Sequence, residues 1–282
     1  MNRPMLPLGM CFLVWGVAFA QNAVPNAPLT QMAAVPTTAP SRDVHARVPS
    51  SSGSQDVVEN PAQKAEELGD LDMARKNYRE AIDAYQESLR SRPNSAVVWN
   101  KMGIAHHQLL DLPRAKACYE KAVKLNRKYS EAINNLGTVY YSTKNYGRAI
   151  RYYEQSLALA PGAASVYVNL GTALFSRKKF PEAIDAYRKA LELDSDAFDH
   201  HNSYGVLLQE RTVQDRAMFD FLLAHTFAAG HNQAKALEFL RKALEEGFHE
   251  PKKIYDDPAF AELVKSEPFA ELMANPPVAI PR

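Results

Sequence analysis

The chain has 282 residues and a mass of 31.4 kDa, enough for one large domain or two small ones. Its 33 Lys and Arg against 32 Asp and Glu leave a formal charge of +1, which excludes a global field that would draw the whole protein to nucleic acid or to an anionic membrane. Two cysteines in a chain of this length exclude a scaffold built on disulfides.

The N-terminal residues have the pattern of a signal peptide (1–20). One cation, Arg3, precedes an unbroken apolar stretch from Leu8 to Ala20, which is too short to span a bilayer comfortably. Ala18 and Ala20 supply the small side chains that a signal peptidase needs, so cleavage is predicted before Gln21. The chain is then exported to the periplasm or secreted, with no integral membrane span; retention as an uncleaved anchor is the alternative that the sequence leaves open.

Residues 21–61 are rich in Pro, Ser, Thr and Ala and contain no aromatic residue. Such a segment cannot bury enough apolar surface to offset the cost of ordering its backbone, about 1–2 kcal/mol per residue. We expect a disordered leader that acts as a spacer.

From Ala62 onward the chain repeats every 34 residues, in the windows 62–95, 96–129, 130–163 and 164–197. The eighth position is always Gly, the twentieth is always Ala, and the twenty-fourth is always Tyr. Each window holds two segments with helical spacing of apolar residues, so each should form two antiparallel helices. The invariant pair consists of Gly69, Gly103, Gly137 and Gly171 with Tyr85, Tyr119, Tyr153 and Tyr187.

This period and pattern resemble the tetratricopeptide repeat family. The resemblance implies an all-α fold, a right-handed superhelical solenoid of antiparallel helix pairs. Each pair exposes an apolar face on both sides and buries it by stacking, so stability should be roughly a sum of nearest-neighbour contributions.

After residue 197 the register continues for half a unit and then breaks. We expect a partial repeat over 198–216, a degenerate repeat over 217–250, capping helices over 251–275 and a frayed tail over 276–282. Pro258 and Pro268 each begin a short helical segment, since Pro is favoured in the first turn. The residues expected to cover the end of the solenoid are Phe260, Leu263, Phe269 and Leu272.

The chain has no recognisable catalytic, metal or cofactor motif. No two of its eight His are three or four residues apart, the spacing that places two ligands on one helical face. No phosphate-binding glycine loop, serine elbow or zinc-protease helix is present. We therefore predict that the protein is not an enzyme and has no metal and no cofactor, with Cys118 a half-buried hydrophobic residue.

The resemblance implies that the first helix of each repeat lines a concave groove. Asn recurs there at positions five and six, and an amide with one acceptor and two donors can grip the main chain of an extended peptide. Two alternatives stay open: Asn before Leu-Gly is frequent in this family, and Tyr141 and Phe175 could pack internally. The predicted peptide-binding residues are Asn100, Lys101, His107, Asn134, Asn135, Tyr141, Asn169 and Phe175.

Some relatives hold the carboxylate of a chaperone tail with cationic and amide side chains, but the matching positions here are Glu66 and Asp70, which would repel it. The sequence thus predicts a cell-envelope scaffold that binds another protein or peptide and no nucleic acid. An envelope enzyme or glycan-binding accessory framed by the repeats is the alternative, and self-association through a terminal face is also possible.

Overall fold

The computed structural model describes residues 60–198 and 213–278. These residues belong to one compact unit of the chain, Asp56–Arg282. The predicted signal peptide, nearly all of the predicted leader, most of the partial repeat and the last residues of the predicted tail lie outside the described residues.

The described part of the chain is entirely helical and contains no strand, which confirms the all-α prediction. Two short 3-10 helices, Pro258–Phe260 and Leu263–Lys265, lie between the last two α-helices. The α-helices are α1 (Pro61–Ala74), α2 (Tyr78–Ser91), α3 (Ala96–Gln108), α4 (Leu112–Leu125), α5 (Ser130–Ser142), α6 (Tyr146–Leu159), α7 (Ala164–Ser176), α8 (Phe180–Leu193), α9 (Val213–Ala229), α10 (Gln233–Glu245), α11 (Pro251–Tyr255) and α12 (Glu267–Ala274).

Each of the first four 34-residue windows contains one helix pair. Helix α1 begins at Pro61, one residue before the predicted start, with the Asn60 side chain accepting a hydrogen bond from the Ala62 amide at 3.1 Å. Successive helices from α1 through α10 pack on one another, the last such contact being that of α9 with α10. In addition, α3 contacts α5, and α5 contacts α7. This packing confirms a solenoid of antiparallel helix pairs.

A left-handed residue follows the first helix of each helix pair in the described part of the chain. Lys76, Leu110, Lys144 and Lys178 have φ of 63°, 59°, 61° and 59°, and His231 has 58°. The next amide reaches back to close the helix end, as when Asn145 donates from its backbone N to the Tyr140 carbonyl at 2.8 Å. The chain therefore reverses within three residues, and the two helices of a pair lie side by side.

The invariant glycine and tyrosine touch each other inside each repeat. The four tyrosines at position twenty-four are at most 1% exposed. A Cβ added to Gly69 would lie 2.5 Å from Cε1 of Tyr85, and one added to Gly137 would lie 2.5 Å from Cε1 of Tyr153. No side chain fits at position eight, because the tyrosine ring occupies that space, so the two positions must vary together.

The C-terminal segment covers the last helix pair. Phe260, Leu263, Phe269 and Leu272 are all at most 2% exposed and belong to the same apolar cluster as α9 and α10. The Phe221 ring of α9 lies 5.7 Å from that of Phe260, centroid to centroid. These residues give the end of the array an apolar inside, with polar side chains such as Glu262 and Glu271 outside.

Candidate groove along the first helices

The first helices α3, α5 and α7 are joined by amide hydrogen bonds that repeat with the sequence period. Asn135 donates from Nδ2 to Oδ1 of Asn100 at 2.9 Å, and Asn169 donates from Nδ2 to Oδ1 of Asn134 at 3.1 Å. Both bonds span 35 residues, since position six of one repeat meets position five of the preceding repeat. A further bond, from Asn134 Nδ2 to Asn135 Oδ1 at 3.3 Å, connects the two into one chain of amides.

The same two positions carry opposite charges where the first repeat meets the second. Lys101 donates from Nζ to Oε1 of Glu66 at 2.8 Å and to Oδ2 of Asp70 at 2.6 Å. Arg92 reaches the other oxygen of Glu66 at 2.6 Å. Glu66 and Asp70 are therefore matched by cations of this chain, which joins α1 to α3 by charge where the later repeats use amides.

The charges change the ionisation of these groups. Partial burial raises the pKa of Glu66, but the hydrogen bonds and charges of Lys101 and Arg92 outweigh it and hold that pKa below its ordinary value. Burial lowers the pKa of Lys101, and the contacts with Asp70 and Glu66 more than restore it, so the net shift is upward. Both groups are charged near neutral pH, and each stabilises the other.

The four predicted asparagines lie together but expose little surface. Asn100 and Asn134 are 5% exposed, Asn135 is 7% and Asn169 is 1%. Much of their hydrogen-bonding capacity is used inside the protein, since Asn100 also approaches the Tyr129 hydroxyl at 3.4 Å. In this arrangement the amides hold neighbouring first helices in register.

The other predicted residues divide between the surface and the core. Lys101, His107 and Tyr141 are half-buried, with part of each side chain accessible. Phe175 is 4% exposed and packs at 5.5 Å from the rings of both Phe180 and Phe219, so it lies in the core. Its burial has a plain cause, because Phe219 of α9 covers the end of α7.

The accessible face formed by the first helices α3, α5 and α7 is called the row below. Two further side chains on it were not predicted from the sequence. Thr138 and Val168, at positions nine and five, are half-buried and occupy the same face of the repeats as Tyr141. The 34-residue period could have identified them, because they occupy groove positions that the family resemblance implies. The prediction rested mainly on amide and aromatic side chains, and neither Thr nor Val is of those kinds. Ser176 also lies here, with its Oγ 3.1 Å from the Tyr141 hydroxyl.

Burial shifts the pKa of two titratable groups in the second repeat. Burial raises the pKa of the Cys118 thiol to about 11, so the thiol is protonated near neutral pH. Burial also lowers the pKa of His107. Among residues 60–198 and 213–278, no group of three His, Cys, Asp or Glu has the arrangement of a metal site. In the same part of the chain, no helix has the length and apolar character to cross a bilayer.

Helix pairs that stack so that their first helices lie side by side are characteristic of helical-repeat proteins. Sequence profiles of the tetratricopeptide repeat family match residues 64–128, and residues 100–164 and 134–200. The segment 64–200 is thus an array of tetratricopeptide repeats. No curated protein matches the chain.

Several solved structures are similar to this chain. PilF of Pseudomonas aeruginosa has 18% identity over 76% of this chain and 97% of its own, with a TM-score of 0.51. MamA of Desulfovibrio magneticus RS-1 has 24% identity over 66% of this chain and 95% of its own, with a TM-score of 0.48. YrrB, described as a TPR protein with an unusual peptide-binding site, has 19% identity over 69% and 91%, with a TM-score of 0.45. At these identities, the similarity to PilF supports the fold alone.

Proposed function

We propose that this chain is an exported, non-catalytic scaffold that binds an extended peptide or a helix of another protein along α3, α5 and α7. The observation that carries the proposal is the amide chain from Asn100 to Asn169, which sets successive first helices at a constant offset. Equivalent positions on these helices then recur at a constant spacing. Such a row suits a ligand that is itself extended and periodic.

The spacing of the row fits an extended main chain. Neighbouring helices pack about 8–10 Å apart. An extended peptide advances about 3.3 Å per residue, so about three peptide residues correspond to one repeat. In this proposal the accessible parts of Lys101, His107 and Tyr141 contact the ligand directly, and the buried amides hold them in place.

A charged side chain placed in the row tests the proposal. Thr138→Lys adds a long cation at a half-buried position between the first helices, and Gln155→Lys adds the same charge at an exposed position on α6. Proteins captured from envelope extracts by the wild-type chain should be lost with Thr138→Lys and kept with Gln155→Lys. If both variants capture these proteins equally well, the row is not the binding surface.

The amide chain has its own test. Asn135→Ala and Asn169→Ala each delete one bond between neighbouring first helices, whereas Asn94→Ala alters an exposed turn. We expect weaker capture for the first two only. If the array instead frames an envelope enzyme or a glycan-binding accessory, the associated activity should survive Asn135→Ala, Asn169→Ala and Thr138→Lys alike.

Export rests on the sequence pattern of residues 1–20. The mass of the protein recovered from cells tests whether the signal peptide is cleaved, because cleavage before Gln21 removes twenty residues. A full-length mass in the membrane fraction would instead favour the retained anchor.

Self-association is a second candidate, favoured by the exposed face of α1. Leu68 and Leu71 are 52% and 45% exposed, whereas Met102 and Ala105, at the same positions in the next repeat, are 5% and 0% exposed. Sedimentation should then give a mass that rises with concentration, and Leu68→Gln with Leu71→Gln should abolish the rise.

A further inference from the structure

The three-residue turns between the two helices of each pair lie on one edge of the array. The first helices run parallel to one another, since bonds of 35-residue spacing join them near their middles and, for Tyr141 and Ser176, at their C-terminal ends. The turns that follow them are therefore neighbours. Residues 143–147 and Arg177 of the next turn line one shallow depression, which places these two turns side by side.

This turn edge carries an excess of exposed cations. The left-handed tip residues Lys76, Lys144 and Lys178 are all exposed, and Arg79, Arg148 and Arg177 extend the charge along the same edge. The acids in the same turns and first helical residues are fewer: Glu80, Asp111 and Glu182. The edge is thus positive, although the whole chain has a formal charge of only +1.

The opposite edge, formed by residues 91–96, 125–130, 159–164 and 193–197, shows no such excess. Its cations are Arg92, Arg127 and Lys128, and Arg92 is engaged with Glu66 of the same array. Its last turn holds Asp194 and Asp196 instead. The positive charge therefore belongs to one edge.

The turn edge also carries a bare apolar tip. Leu110 has a φ of 59° and is 72% exposed, and its neighbour Leu109 is 39% exposed. The tip belongs to the second turn and lies along the edge between Lys76 of the first turn and Lys144 of the third. The left-handed backbone is unfavourable for a bulky aliphatic residue, and the large apolar side chain of Leu110 stays in contact with water.

We propose that the turn edge binds the surface of an anionic phospholipid bilayer. The cations meet the phosphate headgroups, and the Leu109–Leu110 tip enters the interface between them. The anionic headgroups complement the charge of the cations. The apolar tip favours a bilayer over a soluble polyanion, because a polyanion has no apolar region that could receive a leucine side chain. This surface is separate from the row of first helices, so a bound array keeps its groove open to a protein partner.

The test uses the full chain and sedimentation with vesicles of phosphatidylcholine, with and without phosphatidylglycerol. Residues 1–59 are common to all variants, so differences between variants report on the edge. Asn tolerates a left-handed backbone, so changing Lys76, Lys144 and Lys178 to Asn removes three charges without straining the turns. Each cation near an anionic surface contributes about 1 kcal/mol, which predicts binding weakened about 100-fold.

A matched variant removes three exposed charges at or beside the opposite edge: Lys124→Gln in the last turn of α4, with Arg127→Gln and Lys128→Gln. This variant should bind as the wild type does. Leu110→Asn should weaken binding severalfold while melting no lower than the wild type. The proposal is overturned if the wild type shows no preference for phosphatidylglycerol, or if the two triple variants bind equally. It also fails if Leu110→Asn binds undiminished while soluble polyglutamate captures the protein through the same cations, which would assign the edge to an acidic protein.

Discussion

Asn135 on α5 donates to Asn100 on α3 across 35 residues of sequence, and both side chains are almost fully buried. Asn134 and Asn169 repeat the relationship one unit later. Between the first and second units, Glu66 and Lys101 occupy the same two positions as an ion pair. One geometric contact between neighbouring repeats thus accepts either two amides or two opposite charges.

Replacing one amide should leave its partner unsatisfied. Asn135→Ala removes the donor to Asn100 and the acceptor for Asn134, and an unpaired buried polar group costs about 1–3 kcal/mol. Urea unfolding should show a loss of that size. The double variant Asn100→Ala with Asn135→Ala should lose less than the sum of the single losses, because the same bond is counted twice. Strict additivity would show that the bond contributes nothing.

Filling the space beside one of the recurring tyrosines should destabilise the array. Gly137→Ala gains helix propensity, about 1 kcal/mol, but its Cβ would lie 2.5 Å from Cε1 of Tyr153. Overpacking of this kind costs about 1–3 kcal/mol, so we expect a lower melting temperature. Gly162→Ala is the matched control, since nothing lies within 4 Å of its added Cβ, and it should melt as the wild type does or slightly higher.

The ion pair between the first two repeats should make the stability of the protein depend on pH in the acid range. The folded-state pKa of Glu66 lies below its ordinary value of 4.5, so its contribution is present above that value and is lost as the pH falls through the lower, folded-state pKa. Lys101→Met should therefore cost more stability at about pH 6 than at about pH 3, as measured by urea unfolding. Lys189→Met, which breaks an exposed ion pair with Glu192, should change the free energy of unfolding little at both pH values. A constant cost for Lys101→Met would exclude the electrostatic explanation.

Relieving a left-handed turn should stabilise the protein. Lys178 has a φ of 59°, where a side chain is unfavourable and glycine is not. Lys178→Gly should raise stability by about 0.5–1 kcal/mol despite the added freedom of the unfolded chain. Lys189→Gly, inside helix α8, should lower it by about 1 kcal/mol. Both changes remove one lysine, so charge cannot explain opposite signs.

The fold class and the repeat were predictable from residue spacing. In each repeat the tyrosine ring occupies the space of a side chain at position eight, so Gly and Tyr must recur together. The candidate row was only partly predictable. The sequence placed Asn100, Asn134, Asn135 and Asn169 on one face, but not in bonds to each other, because a bond between repeats depends on the stacking offset of two helices. Phe175 was assigned to the row, yet packing against Phe219 of α9 buries it, and α9 lies beyond the four regular repeats.

The spacing of residues along the chain is enough to predict that pairs of helices recur every 34 residues and must stack, since local spacing sets which face of each helix is apolar. The packing of the helices against one another is needed to show which polar side chains form hydrogen bonds inside the array and which remain accessible at its surface. The same packing brings the cations of separate turns to one edge. Both outcomes depend on distances between residues far apart in the chain, which no local pattern encodes.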